Sequence, residues 1–524
     1  MQKVQIELKR PPDWLLHGVK NLLFVIALLL VALPVLAKTW YVRTDGHDTA
    51  AGTNDTSDAT TGAFLTVQKG LNTINSGDLL LVDDGTYPYN LSPTKNFTSE
   101  TVVASTSGNR TNVILTGVSG GWDIENVANF TTYSNLTMLS HSSSVNEVLI
   151  EGNGLNDKFV KCLILSSNSL CVQVSPGYPP YTVSNVIFDS CSLSTLGTNV
   201  TSGFSVGNSS GRVCDTILIT NCTVNTYFGQ GISIENYVNN LNVINSTIST
   251  GGSGANSYGI YSSFTTTYST NITIDGCNIL SPVYGINIYC ASNLIIRNTT
   301  AIGGSAGIRV GNGSSLYYSA ILGLNGSIYN CYSVCSNTVY ASAGMWVLAN
   351  SFNLNIYNNT IIGGAYGLVM QSCQNCNAHN NVVYGGWNEG IDTEYDSTNN
   401  VINNNLIFVG NTNGAWGLFT LSIPGHRCYG QVFTNNWIIS VNSASGAIFW
   451  STNDSGNGIC DFNTYCFNTT PNFGSVLTNA DTNILPTFGV NSIEKLRSRW
   501  AAYGVPGNDA HSWYGPSLNA GFAQ

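Results

Sequence analysis

The stretch NITIDGCNILSPVYGINIYCASNLIIRNTTAI, residues 271–302, decides the fold. It holds one repeat and the opening of the next. A first segment, NITIDGCNI (271–279), is followed by a Gly-led one, GINI (285–288), and then by NLIIRNTTAI (293–302). Within each segment apolar and polar residues alternate, which is the period of a strand. Ile, Val, Thr and Tyr dominate, and they suit a pleated, half-buried surface. Charged residues make up only 9% of the chain, so a helical repeat rich in Glu and Lys is excluded.

The same form recurs outward in both directions. It reads NVIFDSCSL (185–193), TILITNCTV (216–224), LNVINSTI (241–248), SIYNCYSV (327–334), LNIYNNTII (354–362), NAHNNVVY (377–384), VINNNLIF (401–408) and VFTNNWII (432–439). The polar anchors Cys191, Cys222, Ser246, Cys277, Thr299, Cys331, Asn359, Asn381, Asn405 and Asn436 stand 22 to 32 residues apart. Gly-led strands accompany them: GISI (231–234), GIYS (259–262), GIRV (307–310), GMWV (344–347), GLVM (367–370), GIDT (390–393), GLFT (417–420) and GAIF (446–449). Repeats of this length mean a solenoid. Strand repeats stacked about 4.8 Å apart give an all-β, parallel β-helix. Asn tolerates the left-handed backbone of tight corners, and stacked amides can bond in a ladder. The uneven spacing follows from loops of different length at one corner.

The 524 residues carry 18 Lys and Arg against 28 Asp and Glu, a net charge of −10. Nucleic acid needs a basic footprint and is excluded as a partner. Near the start, Lys3, Lys9, Arg10 and Lys20 precede an apolar run that ends in a Val35-x-Ala37 cleavage pattern. The run is about 16 residues, short for a span. Residues 1–37 read as a cleaved signal peptide, or else as a membrane anchor, the chain's only expected membrane contact. The body is expected to be secreted or cell-surface, and monomeric. All 14 cysteines lie at or after Cys162. Those at the anchor position read as stacked interior thiols or as disulfide partners, while Cys428, Cys460 and Cys466 are the best disulfide candidates. Cys373-x-x-Cys376 has no second pair to complete a zinc site.

Residues 38–100 differ from the repeats. A short strand over 40–43, a helix from about Leu65 to Ile74 and a strand over 79–82 are predicted. A solenoid's open end exposes core and strand edges, so it needs a cap. The run Tyr41-Val42, Asp45-Gly46, Asp48, Gly52-Thr53, Phe64, Thr66-Val67-Gln68-Lys69, Gly77-Asp78 and Gly85-Thr86-Tyr87 resembles the N-terminal cap of the pectin-lyase-like β-helix superfamily. Within it, the closest resemblance is to polysaccharide lyases of the pectate-lyase family-9 type. The expected organisation is a cap over 38–100, a β-helix over 101–460 and a C-terminal tail over 461–524. In the tail, Trp500, Gly504, Asp509-Ala510-His511-Ser512 and Gly515-Pro516 resemble the segment after the last coil of those proteins.

The Gly-led strands carry the candidate chemistry. Alternation from an inward Ile391, Leu368 and Leu418 sends outward Glu235, Tyr261, Tyr289, Arg309, Trp346, Gln371, Asp392, Phe419, Trp450 and Asp454. Aromatic rings on successive coils make a platform for the C–H faces of sugars, and arginine pairs with carboxylates. Tyr289, Arg309, Trp346, Phe419 and Trp450 are therefore expected to bind substrate, or else to be ordinary exposed strand residues. Asp392, Glu394 and Asp396 should share one face at roughly 6.5–7 Å between neighbours. They could bind calcium, divide acid and base roles, or form a solvated acidic edge. The resemblance implies calcium and a lysine base, but no lysine lies between Lys161 and Lys495. Arg427 and His426 are the substitute bases, with Glu394 beside them. The polygalacturonase motifs are absent. The function expected is a calcium-assisted lyase that cleaves an extracellular, uronate-containing polysaccharide by β-elimination; the alternative is a non-catalytic glycan-binding or adhesin-type β-helix.

Overall fold

The structure, a computed structural model, describes residues 37–516 apart from segments between strands, among them 263–268, 312–323, 410–414, 422–427, 452–457 and 478–491. Residues 1–36, with the expected signal, lie outside the described residues.

The chain winds as a parallel β-helix of three long sheets with 18, 16 and 14 strands. Each coil contributes one strand to each sheet in turn. For the coil that begins at residue 377 these are Asn377–His379, Val382–Tyr384 and Glu389–Glu394. Every registered pair is parallel, so residues a full coil apart in sequence sit one above another; Ile391 pairs with Leu368 below and Leu418 above. Two corners per coil turn through the left-handed region. One row holds Asn185, Asn240, Asn271, Asn293, Asn353, Asn375 and Asn399, and the other holds Asn221, Asn245, Asn298, Asn330, Asn358, Asn380, Asn404 and Asn435. Asn is the side chain that adopts this conformation at least cost after Gly.

The anchor residues come one step after the second corner and point inward. Each solves the same problem, a buried N–H on the coil below. Ser246 Oγ accepts it from Cys222 at 3.1 Å, Thr299 Oγ1 from Cys277 at 3.3 Å and Asn359 Oδ1 from Cys331 at 2.9 Å. Asn381, Asn405, Asn436 and Asn463 continue upward as an amide ladder with Nδ2···Oδ1 distances of 3.0 to 3.1 Å. The anchor cysteines are interior thiols, as stacking implies. Cys428, Cys460 and Cys466, the disulfide candidates, are likewise buried thiols that form no disulfide.

Glycine leads the third-sheet strands because that corner presses on its neighbours. A Cβ on Gly390 would stand 2.4 Å from Ile407 Cγ2 and 2.7 Å from Gly417 O. Among the described residues there are two helices. Helix α1 (Val67–Thr73) is capped by Thr66, which accepts from Lys69 N, and buries Val67 and Leu71. At the other end, strands Thr464–Phe467 and Gly474–Leu477 still extend the sheets. Helix α2 (Ile493–Tyr503) follows and sets the fully buried Trp500 edge-on against Trp450 at 5.1 Å.

Candidate functional site

Register draws one outward column through the Gly-led sheet. On successive strands it holds Ser233, Tyr261, Asn287, Arg309, Trp346, Val369, Asp392, Phe419 and Phe449. Their neighbours Ile391 and Leu418 belong to the main core, whereas Trp416, Phe449, Phe419 and Leu421 form a second apolar cluster of their own. The face expected from alternation therefore exists. It gathers Tyr289, Arg309, Trp346 and Phe419, all half-buried.

Trp450 is not on it. Phe419 pairs with Phe449, and Trp450 pairs with the inward Thr420. Trp450 is 2% exposed and packs edge-on against Phe433 at 5.4 Å. The slip arises because Ala447, not Gly446, takes the position that glycine holds on the coils below, and one residue of shift reverses every side chain. His426, Arg427 and Asp454 lie outside the described residues.

The acidic triplet is also redrawn. The strand ends at Glu394, and Tyr395 and Asp396 both turn left-handed, with φ of 47° and 57°. Alternation stops there, so Asp396 leaves the face that carries Asp392 and Glu394. Glu389 joins them instead. It opens the strand, one position before the glycine. In this register the residue before the glycine and the second residue after it share a face; Tyr258 and Tyr261 stack at 4.7 Å across that interval. The same position holds Tyr258, Tyr284, Tyr366 and Trp416 on other coils. Sequence reasoning passed over these residues. The signal was the recurring aromatic–Gly pair at 258–259, 284–285, 366–367 and 416–417.

Two of the three carboxyls are enclosed and the third, Glu394, is half-buried. Asp392 is 2% and Glu389 is 8% exposed, and among the described residues Asp392 Oδ1 and Glu389 Oε2 have no hydrogen-bond partner. Tyr366 and Val369 lie on the coil below, and Trp416 and Phe419 on the coil above. Burial disfavours the charged form, and the neighbouring carboxyls add repulsion. Glu389 is pushed up to about 8 by burial and then by Glu394, and burial pushes Glu394 up to about 7. Asp392 is raised too, by burial first and then by Glu394 and Glu389. Calcium would need several converging oxygens. With Asp396 turned away, the described residues hold no group of three metal-ligating side chains suited to an ion. The set Asp392, Glu394 and Asp396 does not fit calcium.

These raised values give stability a pH dependence. The folded chain holds protons that the unfolded chain has released, from the ordinary glutamate value near 4.5 up to about 8. Stability is therefore full at the acid end of that window and falls as pH rises through it. Replacing Glu389 with Gln removes one such group. Denaturant midpoints measured at about pH 5 and about pH 8 should fall less in Glu389→Gln than in the parent chain. Parallel falls in the two proteins would refute this origin.

Residues 258–459 match the family described as right handed beta helix region. No curated protein matches the sequence. Among solved structures, the catalytic unit of a GH87 α-1,3-glucanase from Streptomyces thermodiastaticus is 14% identical, covering 80% of this chain and 70% of that one with a TM-score of 0.44. A mannuronic acid specific polysaccharide family 6 lyase from human gut microbiota is 11% identical over 86% and 88%, with a TM-score of 0.38. The A-module of the Azotobacter vinelandii mannuronan C-5 epimerase AlgE4 is 11% identical over 74% and 86%, with a TM-score of 0.36. None of these three likenesses bears on chemistry. The family match lies within the coil, and the same three sheets extend on both sides of it; the chain is a right-handed parallel β-helix.

Proposed function

We propose that the protein is an exported, monomeric carbohydrate-active enzyme that cleaves a uronate-containing glycan by β-elimination on the outer face of the Gly-led sheet. One observation carries the reading: three carboxyls, Glu389 and Asp392 buried and Glu394 half-buried, stand on a single strand between aromatic side chains, where burial raises their proton affinity. The resemblance of the N-terminal cap to family-9-type lyases points the same way. A solvated acidic edge would be exposed, whereas Glu389 and Asp392 are buried and Glu394 is half-buried.

The roles follow from the proton affinities. Glu394, part-ionised at neutral pH, takes the proton from the carbon next to the uronate carboxylate. The electron pair left behind forms the new carbon–carbon double bond, and the glycosidic C–O bond on the adjacent carbon breaks. Glu389, still protonated, gives its proton to the departing oxygen. Asp392, also protonated, donates a hydrogen bond to the uronate carboxylate as charge builds there. A group whose pKa lies near the working pH serves best as acid or base, and preplaced donors stabilise developing charge. No step is routed through calcium.

The test follows the ultraviolet absorbance of unsaturated products on a panel of uronate polymers, with and without EDTA. Product in both arms is expected. New reducing ends without the absorbance would mean hydrolysis instead. Retention on a glycan with no product on any polymer would overturn the enzymatic reading in favour of a binding protein.

A further inference from the structure

Three coils below the carboxyls, the same face holds a positive charge that no carboxylate among the described residues pairs. The guanidinium of Arg309 is walled by rings: its Cζ lies 5.0 Å from the centroid of Tyr284, 5.5 Å from Tyr289 and 5.7 Å from Trp346. Among the described residues no carboxylate reaches it. Among the described residues its one bond is a long 3.4 Å contact from Nη1 to the Tyr289 hydroxyl, and its buried Nε–H has no acceptor. Directly beneath it in register sits Asn287, 0% exposed. The Asn287 Nδ2 makes a 3.5 Å contact to the same hydroxyl, and its Oδ1 has no donor. A buried donor and a buried acceptor are thus left open on neighbouring coils, about 4.8 Å apart.

Each orphan alone would be an unrewarded cost, since buried polar groups are nearly always bonded. Together they describe a ligand. The donor is cationic and forked, which fits a carboxylate. The acceptor fits a hydroxyl. The flanking rings fit apolar C–H faces. An acidic sugar offers all three in one residue, and neither a neutral sugar nor a simple anion does.

We infer that Arg309, Asn287, Tyr284, Tyr289 and Trp346 form a binding subsite for a single uronate residue, separate from the place of bond cleavage. This deepens the proposed function and rests on it for the direction of the glycan. Arg309 is three strands from Asp392, by way of Trp346 and Val369. At the coil spacing that is about 14 Å. The acid preference of the protein therefore arises at a distance from its chemistry, and a substrate must be long enough to cover both places.

The experiment measures binding, not turnover. Oligogalacturonate, oligomannuronate and a neutral oligomannan, each long enough to span three coils, are titrated into the purified chain by calorimetry. At least one acidic oligomer is expected to bind tenfold or more tightly than the neutral one, less so at high salt. Arg309→Ala should erase that preference. Arg309→Lys, which keeps the charge and the packing stem but loses the fork, should retain part of it, and Asn287→Ala should weaken acidic and neutral oligomers alike. Equal affinity for acidic and neutral oligomers, binding of no acidic oligomer, or a full preference in folded Arg309→Ala would each overturn the subsite. Repeating the titration in Glu394→Gln separates the two proposals. An acid preference there, with no unsaturated product from the parent chain, would sustain the subsite and sink the elimination. Product from the parent chain with no preference would do the reverse.

Discussion

Glu394→Gln is expected to lower kcat for unsaturated product by about 10²–10⁴, the usual worth of a positioned acid or base. Affinity for a uronate oligomer should change only a few-fold. Gln keeps the size and hydrogen-bonding reach of Glu but cannot take a proton at any working pH. The parent activity should rise with pH as Glu394 ionises near its value of about 7, then fall as Glu389 loses its proton near about 8. Because the groups interact, these limbs belong to the set and not to single residues. Asp392→Asn is the informative contrast. Enclosure favours the neutral form of Asp392, so an equally neutral amide preserves packing and one donor. Its loss in rate should be smaller, and the shape of the pH profile should survive. Stopped assays across the pH range on both variants decide the matter. If Glu394→Gln retains the parent rate, the carboxyls of this strand are not the reacting groups.

The sequence carried the architecture because architecture rests on periodicity, and periodicity is local. Alternation, corner Asn and recurrent Gly each repeat on many coils, so errors at one coil are outvoted. The site is legible only where it follows the same rules. Arg309, Trp346 and Phe419 fell into the outward column because glycine fixes their phase. Trp450 did not, since Ala447 stands in the glycine position and the visible Gly446 shifts the count by one. Asp396 was lost to a second left-handed residue after the strand, a signal that Tyr395-Asp396 does not announce. Glu389 was missed because the strand starts one residue before its glycine. The enclosure of Asp392 could not be read at all. It is set by what surrounds that face in three dimensions, and no local pattern encodes burial on the outside of a sheet.

Asn405→Ala is expected to cost about 3–5 kcal/mol of stability, the largest effect of any single change here. Asn405 is 1% exposed and fully used. Its Oδ1 accepts from the Asn381 backbone N–H and Nδ2, both at 3.0 Å. Its Nδ2 donates to Ala378 O at 2.9 Å and to Asn436 Oδ1 at 3.0 Å. Truncation breaks four buried bonds at once; Asn381 Nδ2 keeps Ile356 O and Asn436 Oδ1 keeps the residue-405 N–H, but the Asn381 backbone N–H is left without its acceptor, and an orphaned buried group costs more than the bond that held it was worth. Asn293→Gly supplies the contrast. Asn293 is exposed and left-handed, with φ of 57°, and its Nδ2 bonds Asn271 at 3.0 Å in a second, outer ladder. Gly keeps that backbone at no steric cost, so the loss should stay below about 1 kcal/mol. Denaturant midpoints at constant slope measure both. A similar small loss in the two variants would mean that the inner ladder is bystander geometry. The consequence reaches the site. Asn381 lies in the coil whose third strand bears Glu389, Asp392 and Glu394, and Asn405 lies in the coil above it. In a solenoid each coil is held chiefly by its neighbours. Loosening that step should therefore reduce turnover in protein that still folds, because carboxyls kept protonated by enclosure regain their ordinary acidity once water reaches them.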